Sequence, residues 1–184
     1  MIKRRKYVIY LAGPIKIWKE QFQQKYSKIF GHKIDLIEPG DLSLLLVEIS
    51  KNHRKISQKI ARMCLAAIEH SDAVLAYIKP YEPEEHMSLP GVDSCWELGY
   101  ACGIGKPVIA LIDSLEDLNF WESAWMVSLS ITAVLTCDKE VALKVKEMER
   151  FYGVDNVYCE EPGKFEEKLI EYLDFIIKEK LKMK

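Results

Sequence analysis

Glu97 is the residue best suited to chemistry, because it lies in a stretch that is otherwise largely apolar or small. The stretch covers residues 90 to 107 and reads PGVDSCWELGYACGIGKP. An ionised carboxylate in such surroundings can act as a nucleophile. The spacing Ser94-x-x-Glu97 also matches a capping box, in which Glu97 would only accept a hydrogen bond from the Ser94 amide. The spacing alone leaves both interpretations open.

The residues around Glu97 predict a buried helix. Asp93 or Ser94 would be its N-cap, and an anion in its first turn would be stabilised by the exposed amides. Gly105 and Pro107 would end it, because glycine suits the left-handed position and proline cannot continue a helix. Apolar residues on all sides leave no polar face, which indicates burial.

Five apolar segments predict the strands of the sheet that must support this helix, and helical patterns alternate with them. The segments are Tyr7–Ala12, Ile34–Ile37, Ala73–Ile78, Pro107–Ile112 and Ile131–Thr136. Strands that are apolar throughout and alternate with helices imply a mainly parallel five-stranded sheet covered on both faces. The sequence therefore predicts a doubly wound α/β fold. In such folds ligands bind outside the carboxyl ends of the strands.

Length and composition indicate one domain, residues 1 to 184, that ends in a helix over residues 163 to 183. A net charge of −2 disfavours a protein that coats nucleic acid. No stretch approaches the length of a membrane span, so we expect no membrane partner. Five cysteines without a CxxC pair indicate free thiols and a reducing compartment, which favours the cytoplasm.

Several familiar motifs are missing, and we therefore expect no cofactor and no metal. The four histidines lack metal-ligand spacing, and no GxGxxG follows the first strand. Gly105 and Lys106 lie at the end of a helix, whereas phosphate binds at its start. Cys64, Cys95 and Cys102 lie on apolar helical faces and are predicted to be buried packing residues.

Three segments together resemble the nucleoside 2-deoxyribosyltransferase family. They are YVIYLAGP at residues 7 to 14, SDAVLAY at residues 71 to 77 and GVDSCWELGYACGIGKPV at residues 91 to 108. Members of this family have a flavodoxin-like fold and cleave the N-glycosidic bond of 2′-deoxynucleosides. The resemblance implies the same fold here and identifies three catalytic candidates. Glu97 would attack the anomeric carbon, Asp72 would transfer a proton to the base or hold the sugar, and Tyr10 would hydrogen-bond the nucleophile.

Each catalytic candidate also has a structural interpretation. Asp72 could be a turn residue that bonds a local amide, and Tyr10 could be an ordinary sheet residue. The pairing itself suits the chemistry, because an oxocarbenium-like transition state needs an anion below the anomeric carbon and the departing base needs a proton. Two carboxyl groups in different surroundings can provide both.

Five further residues are candidates for substrate binding. Gly13 and Pro14 form the turn after the first strand, and Gly91 stands where relatives carry an acid or a serine. Asp93 could supply that displaced carboxylate or only cap the helix. Ser130 is the fifth candidate, and either Ser130 or Ser128 would reach across from a neighbouring subunit.

The resemblance also implies the partners of the protein. These are a nucleoside or nucleotide, a free nucleobase and further copies of the chain in a homo-oligomer. Trp121, Trp125 and Met126 would lie in the interface or in the core.

Two other functions stay open beside transfer of deoxyribose between bases. One is hydrolysis of nucleoside 5′-monophosphates, although Gly13-Pro14-Ile15-Lys16 lacks the Gly/Arg-rich turn that holds phosphate in such relatives. The other is a catalytically silent module that binds or senses a nucleotide.

Overall fold

The computed structural model describes residues 6–13, 21–37, 53–77, 79, 92–123, 128–148, 154 and 156–182. Six strands and six α-helices lie in these ranges. The strands are β1 Tyr7–Ala12, β2 Ile34–Ile37, β3 Ala73–Ala76, β4 Val108–Leu111, β5 Ala133–Thr136 and β6 Asn156–Cys159. The helices are α1 Gln23–Tyr26, α2 His53–His70, α3 Val92–Gly103, α4 Leu115–Ser123, α5 Lys139–Glu147 and α6 Phe165–Lys182.

The strands form one parallel sheet in the order β2-β1-β3-β4-β5-β6. The chain moves outward from β1 to β2 and then crosses to the other side of β1, which confirms the doubly wound, flavodoxin-like class. The predicted number of five strands is wrong, because β6 adds a sixth beside β5. This edge strand is only half-buried and reads NVYC, so it lacks the apolar run that marks the other strands.

Helices cover both faces of the sheet, as predicted. Helices α2, α3, α4 and α5 pack on one face, and α1 and α6 pack on the other. Alternation along β1 sends Tyr10 and Ala12 to the first face and Ile9 and Leu11 to the second. Of the described helices, none is long and apolar enough to span a membrane.

The C-terminal helix begins two residues later than predicted. Its first turn also forms hydrogen bonds with the backbone at the amino end of β2. A 3₁₀ turn over Pro162–Lys164 precedes α6. The buried Glu166 carboxylate in the first turn of α6 accepts hydrogen bonds from the amides of Gly31, Lys33 and Ile34, at 3.0, 2.8 and 3.1 Å. This one side chain therefore satisfies the backbone where the chain enters β2, beside β1.

Helix α3 ends where its sequence predicts. Gly105 has a φ of +71°. Its amide donates to the carbonyl of Cys102, and the amide of Lys106 donates to the carbonyl of Ala101, both at 2.9 Å. These two bonds form a Schellman motif, which satisfies the last carbonyls of the helix. The C-terminus of α3 is thus specified by local backbone chemistry.

The prediction that α3 is buried on all sides is wrong. One side packs against the sheet and α2, but Trp96 on the other side is 50% exposed, and Ile104, directly after the helix, is 42% exposed. A helix that covers a sheet has only one face toward it, and the described part of the chain supplies no second layer over α3. Cys102 is accordingly exposed and Cys95 half-buried, whereas Cys64 is buried as predicted.

Replacing Gly105 with alanine should destabilise the protein by about 1 kcal/mol, because the left-handed conformation is unfavourable for residues with a Cβ. A Cβ at this position meets nothing within 4 Å, so the cost is conformational alone. Gly99→Ala is the matched control, since Gly99 lies inside α3 and also has open space around its Cβ. We expect this variant to be slightly stabilised. Equal urea midpoints for the two variants would contradict the left-handed conformation assigned to Gly105.

Candidate active site

Tyr10 and Glu97 meet beneath α3. The Tyr10 hydroxyl donates a hydrogen bond to Oε1 of Glu97 at 2.5 Å, and both side chains are buried. Tyr10 reaches this position because it lies on the face of β1 that α2 and α3 cover. Of the three catalytic candidates, the structure brings these two together.

The Tyr10 hydroxyl is held in its protonated form. Burial, the charge of Glu97 and hydrogen bonds with Cys64 and Glu97 raise the pKa of Tyr10 far above its ordinary range. A phenol that stays protonated is a hydrogen-bond donor and not a base. Tyr10 can therefore stabilise an ionised Glu97 carboxylate, which is the form that a nucleophile needs.

Glu97 is not the partner in a capping box. Helix α3 begins at Val92, so Ser94 lies inside the helix and Glu97 lies in its second turn. The dipole of a helix acts mainly within its first turn. The hydrogen bond from Tyr10 is thus a more direct contact of the Glu97 carboxylate than the helix dipole.

Asp72 does not join this pair. It directly precedes β3, and its Oδ2 accepts a hydrogen bond from the Val8 amide at 2.8 Å. The Asp72 amide donates to the Val8 carbonyl at 2.6 Å. Asp72 therefore makes two hydrogen bonds with the backbone of Val8, at the amino end of the paired strands β1 and β3. The carboxylate therefore has a structural contact, although the Val8 amide is distant in the chain and is not the local amide that the turn interpretation implied. The role of Asp72 as the acid/base group stays a prediction.

Sequence reasoning did not predict that Cys64 lies near the candidate site. The side chain of Cys64 is buried and belongs to the same core cluster as Tyr10. The apolar periodicity of α2 placed Cys64 on the inward face of the helix. It carried no signal for the strand residue that Cys64 would meet.

The predicted binding residues are only partly described. Gly13 follows β1 at its carboxyl end and is buried. Ser130 is buried just before β5. Pro14, Gly91 and the side chain of Asp93 lie outside the described residues. These five residues stay predictions.

The aromatic segment contributes to the core. Trp121 is 1% exposed and packs in the cluster below α4, which favours the core interpretation for this residue. The Ser128 hydroxyl donates a hydrogen bond to the backbone carbonyl of Trp121 in α4. Trp125 and Met126 lie outside the described residues. A homo-oligomer stays a prediction.

A second polar cluster lies at the carboxyl edge of β4, on the face that carries α1. Asp113 accepts hydrogen bonds from the hydroxyls of Tyr26 and Tyr77 and forms ion pairs with Lys25 and Lys79. Burial alone would raise the pKa of Asp113. The hydrogen bonds from Tyr26, Lys25 and Tyr77 and the charge of Lys79 outweigh burial and hold this pKa below its usual range.

The Asp113 cluster is balanced in charge. Lys79 pairs with both Asp113 and Asp117, at 3.0 and 2.8 Å. The cluster lines an open cavity of about 520 Å³ with Gln21, Gln24 and Ser114. These charges already pair with each other. Their pairs connect α1 with the carboxyl ends of β3 and β4. Within the described ranges, no group of three His, Cys, Asp or Glu side chains is arranged to hold a metal ion.

Comparisons with known proteins identify the family of the chain and one similar solved structure. Residues 9–165 match the model of a family described as nucleoside 2-deoxyribosyltransferase. A solved structure of the 2-deoxyribosyltransferase from Bacillus psychrosaccharolyticus is similar, with a TM-score of 0.47 and 20% sequence identity. That match covers 69% of this chain and 84% of the other. A search of curated proteins finds no match.

Asp72→Ala should lower the free energy of unfolding by about 1 kcal/mol, because the Val8 amide loses its acceptor. Asp72→Asn retains an oxygen acceptor and should stay close to the wild-type stability. If Asp72 has only this structural contact, turnover of deoxynucleosides should change little in either variant. A proton-transfer role would instead reduce the rate by about 10² or more in both variants, and that result would support Asp72 as the acid/base group.

Asp113→Asn should lower the free energy of unfolding at pH 7 by about 2 kcal/mol, since charge-assisted hydrogen bonds are lost. A carboxyl whose pKa is lowered by folding stabilises the fold above its unfolded pKa of about 3.9. That contribution disappears as the pH falls through the lower folded pKa. Urea unfolding from pH 7 to pH 2 should therefore show the wild type and the variant converging only at the acidic end.

The control for this pH series is Asp35→Asn. Asp35 forms an exposed pair with Lys6 at 3.3 Å, which should contribute little. A difference between wild type and Asp113→Asn that stays constant down to pH 2 would contradict the role of the Asp113 charge.

Proposed function

The chain belongs to the nucleoside 2-deoxyribosyltransferase family, and on that premise we propose that it cleaves the N-glycosidic bond of 2′-deoxynucleosides. The deoxyribosyl group is then transferred to a second nucleobase. The observation that supports this proposal is the buried hydrogen bond from Tyr10 to Glu97. It gives the site one anion that is oriented and stabilised by a donor.

In the first step, a carboxylate oxygen of Glu97 attacks C1′ of the deoxyribose. A C1′–O ester bond forms while the C1′–N bond breaks. The electron pair of that bond leaves with the base, which takes up a proton from solvent. The developing positive charge on the sugar is stabilised by the anion below it.

In the second step, a nitrogen of the incoming base attacks C1′ of the deoxyribosyl-enzyme. The ester C–O bond breaks, its electron pair returns to Glu97, and the base loses its N–H proton. A retained configuration follows from two displacements at the same carbon.

Tyr10 acts on the nucleophile and not on the sugar. Its protonated hydroxyl donates to Glu97 before the attack, so the phenol keeps the carboxylate ionised and limits its rotation. Such fixed donors stabilise charge without having to reorganise during the reaction.

Glu97→Gln should reduce the formation of a new deoxynucleoside by on the order of 10³-fold or more, because the amide is a poor nucleophile. The measurement is chromatography of the protein incubated with each deoxynucleoside and a different free base. Glu140→Gln is the matched control, since Glu140 is an exposed glutamate on α5. It should retain wild-type turnover.

Mass spectrometry of the intact protein tests the intermediate itself. Wild-type protein mixed with a deoxynucleoside in the absence of acceptor should gain the mass of one deoxyribosyl group, and Glu97→Gln should not. An equal gain in both proteins would assign the nucleophile elsewhere.

The same assays separate the alternative functions. Free base released equally well without an acceptor would indicate hydrolysis, and deoxynucleoside 5′-monophosphates would be the next substrates. Binding of a nucleoside without turnover by the wild type would overturn the proposed reaction and leave a binding module.

A further inference from the structure

We propose that Ser94 binds the donor nucleoside, through a hydrogen bond between its hydroxyl and the 3′-hydroxyl of the deoxyribose. This role rests on the function proposed above, because it takes Glu97 as the group that attacks C1′. It is supported by the burial of Ser94, by the state of its hydroxyl and by its place beside Glu97 on α3.

Ser94 is a buried polar residue whose hydroxyl has no hydrogen-bond partner in the described part of the chain. Every other buried serine, threonine, aspartate or glutamate in the described ranges makes a hydrogen bond or another polar contact. Buried polar groups are nearly always satisfied, so an unsatisfied hydroxyl needs an explanation. Ser94 is not fully enclosed, since 4% of it remains exposed. A ligand can therefore be the missing partner.

Ser94 and Glu97 lie on the same face of α3. Residues three apart on a helix are neighbours, and the inward face of α3 consists of Ser94, Glu97, Leu98 and Ala101, which are all buried. Side chains on a helix incline toward its N-terminus. The Glu97 carboxylate therefore inclines toward Ser94.

Ser94 lies on the side of Glu97 from which a ligand arrives. Helix α3 connects the parallel strands β3 and β4, so it runs from the carboxyl edge of the sheet to the amino edge. Ser94 is thus nearer to the carboxyl edge than Glu97 by roughly 4.5 Å, the rise of three helical residues. Ligands of doubly wound sheets bind outside that edge.

The stereochemistry of the nucleoside selects the 3′-hydroxyl as the partner. In a β-nucleoside the base and C5′ lie on one face of the sugar ring, and the 3′-hydroxyl lies on the other. A nucleophile that displaces the base approaches C1′ from the face opposite the base. Glu97 therefore approaches the face that carries the 3′-hydroxyl, and Ser94 lies beside Glu97. A 2′-deoxynucleoside has no other hydroxyl on that face.

A serine hydroxyl suits a sugar hydroxyl, because each group can both donate and accept. It also carries no charge, so it does not oppose the ionised form of Glu97. A buried group that pairs with a substrate hydroxyl discriminates against an analogue without that hydroxyl, because the group is then left unpaired. Ser94 would therefore give the site a preference for sugars with a free 3′-hydroxyl.

A cycle between the variant and the substrate tests the proposal. The proteins are the wild type and Ser94→Ala. The donors are 2′-deoxyadenosine or thymidine, whichever the wild type turns over, and its 2′,3′-dideoxy analogue. In the wild type, kcat/KM should be about tenfold lower for the dideoxynucleoside, a loss that one neutral hydrogen bond can account for.

The decisive result is the preference that remains in Ser94→Ala. Its kcat/KM for the deoxynucleoside should fall about tenfold, and the two nucleosides should become equal substrates to within about twofold. A preference as large as that of the wild type would overturn the proposal, and so would a wild type that does not distinguish the two nucleosides. Cys102→Ala is the matched control, because it removes one heavy atom from an exposed side chain of the same helix. It should behave as the wild type with both donors.

Urea unfolding shows whether the Ser94 hydroxyl serves the fold instead. A serine inside a helix can donate to the carbonyl of the preceding turn. Without an internal partner, Ser94→Ala should leave the urea midpoint unchanged or raise it, because alanine favours the helix and an unsatisfied group is removed. A clearly lower midpoint would assign the hydroxyl to the fold and overturn the proposal.

Calorimetric titration separates this inference from the proposed reaction. The Kd of each nucleoside is measured for the wild type, for Glu97→Gln and for both proteins with Ser94→Ala added. If the wild type binds without turnover while Ser94→Ala removes the preference in Kd, the proposed reaction fails and the Ser94 contact is supported. If turnover is found and Ser94→Ala keeps the preference, the reaction is supported and the contact fails. A wild type that neither binds nor turns over the nucleosides would overturn both.

Discussion

The buried hydrogen bond between Tyr10 and Glu97 constrains the layer of the protein that β1, α2 and α3 form. An ionised carboxylate is costly to bury unless a donor satisfies it. Tyr10 is such a donor, and it cannot move without moving the sheet, because β1 is paired with β2 on one side and β3 on the other. The position of α3 above β1 is therefore a requirement of the candidate site as well as a result of apolar packing.

Other contacts stabilise the elements of the fold that lie away from Tyr10 and Glu97. A Schellman motif ends α3 before the chain enters β4, which fixes how far the helix extends below Glu97. On the opposite face Glu166 satisfies the backbone at the start of β2. The Asp113 cluster connects α1 with the ends of β3 and β4. These contacts thus lie on both faces of the sheet, at its edge strand β2 and at its central strands β3 and β4.

Three carboxylates illustrate how neighbours decide the role of one chemical group. Asp72 faces a backbone amide and closes a strand ladder. Asp113 faces two phenols and two lysines and is charge-balanced. Glu97 accepts a hydrogen bond from the buried phenol of Tyr10. A carboxylate that a fixed donor orients is what the proposed attack on C1′ requires.

The sequence by itself determined the α/β class, the parallel sheet with two covered faces and the end of α3 at Gly105, and it singled out Glu97 as the candidate nucleophile. Each of these depends on apolar periodicity or on the backbone preferences of a few consecutive residues. The edge strand β6, the exposed side of Trp96, the hydrogen bond of Asp72 with the Val8 amide and the hydrogen bond of Tyr10 with Glu97 were decided by the tertiary structure. They depend on how elements far apart in the chain are aligned. A periodic pattern within one element does not show which side chain of another element will contact it.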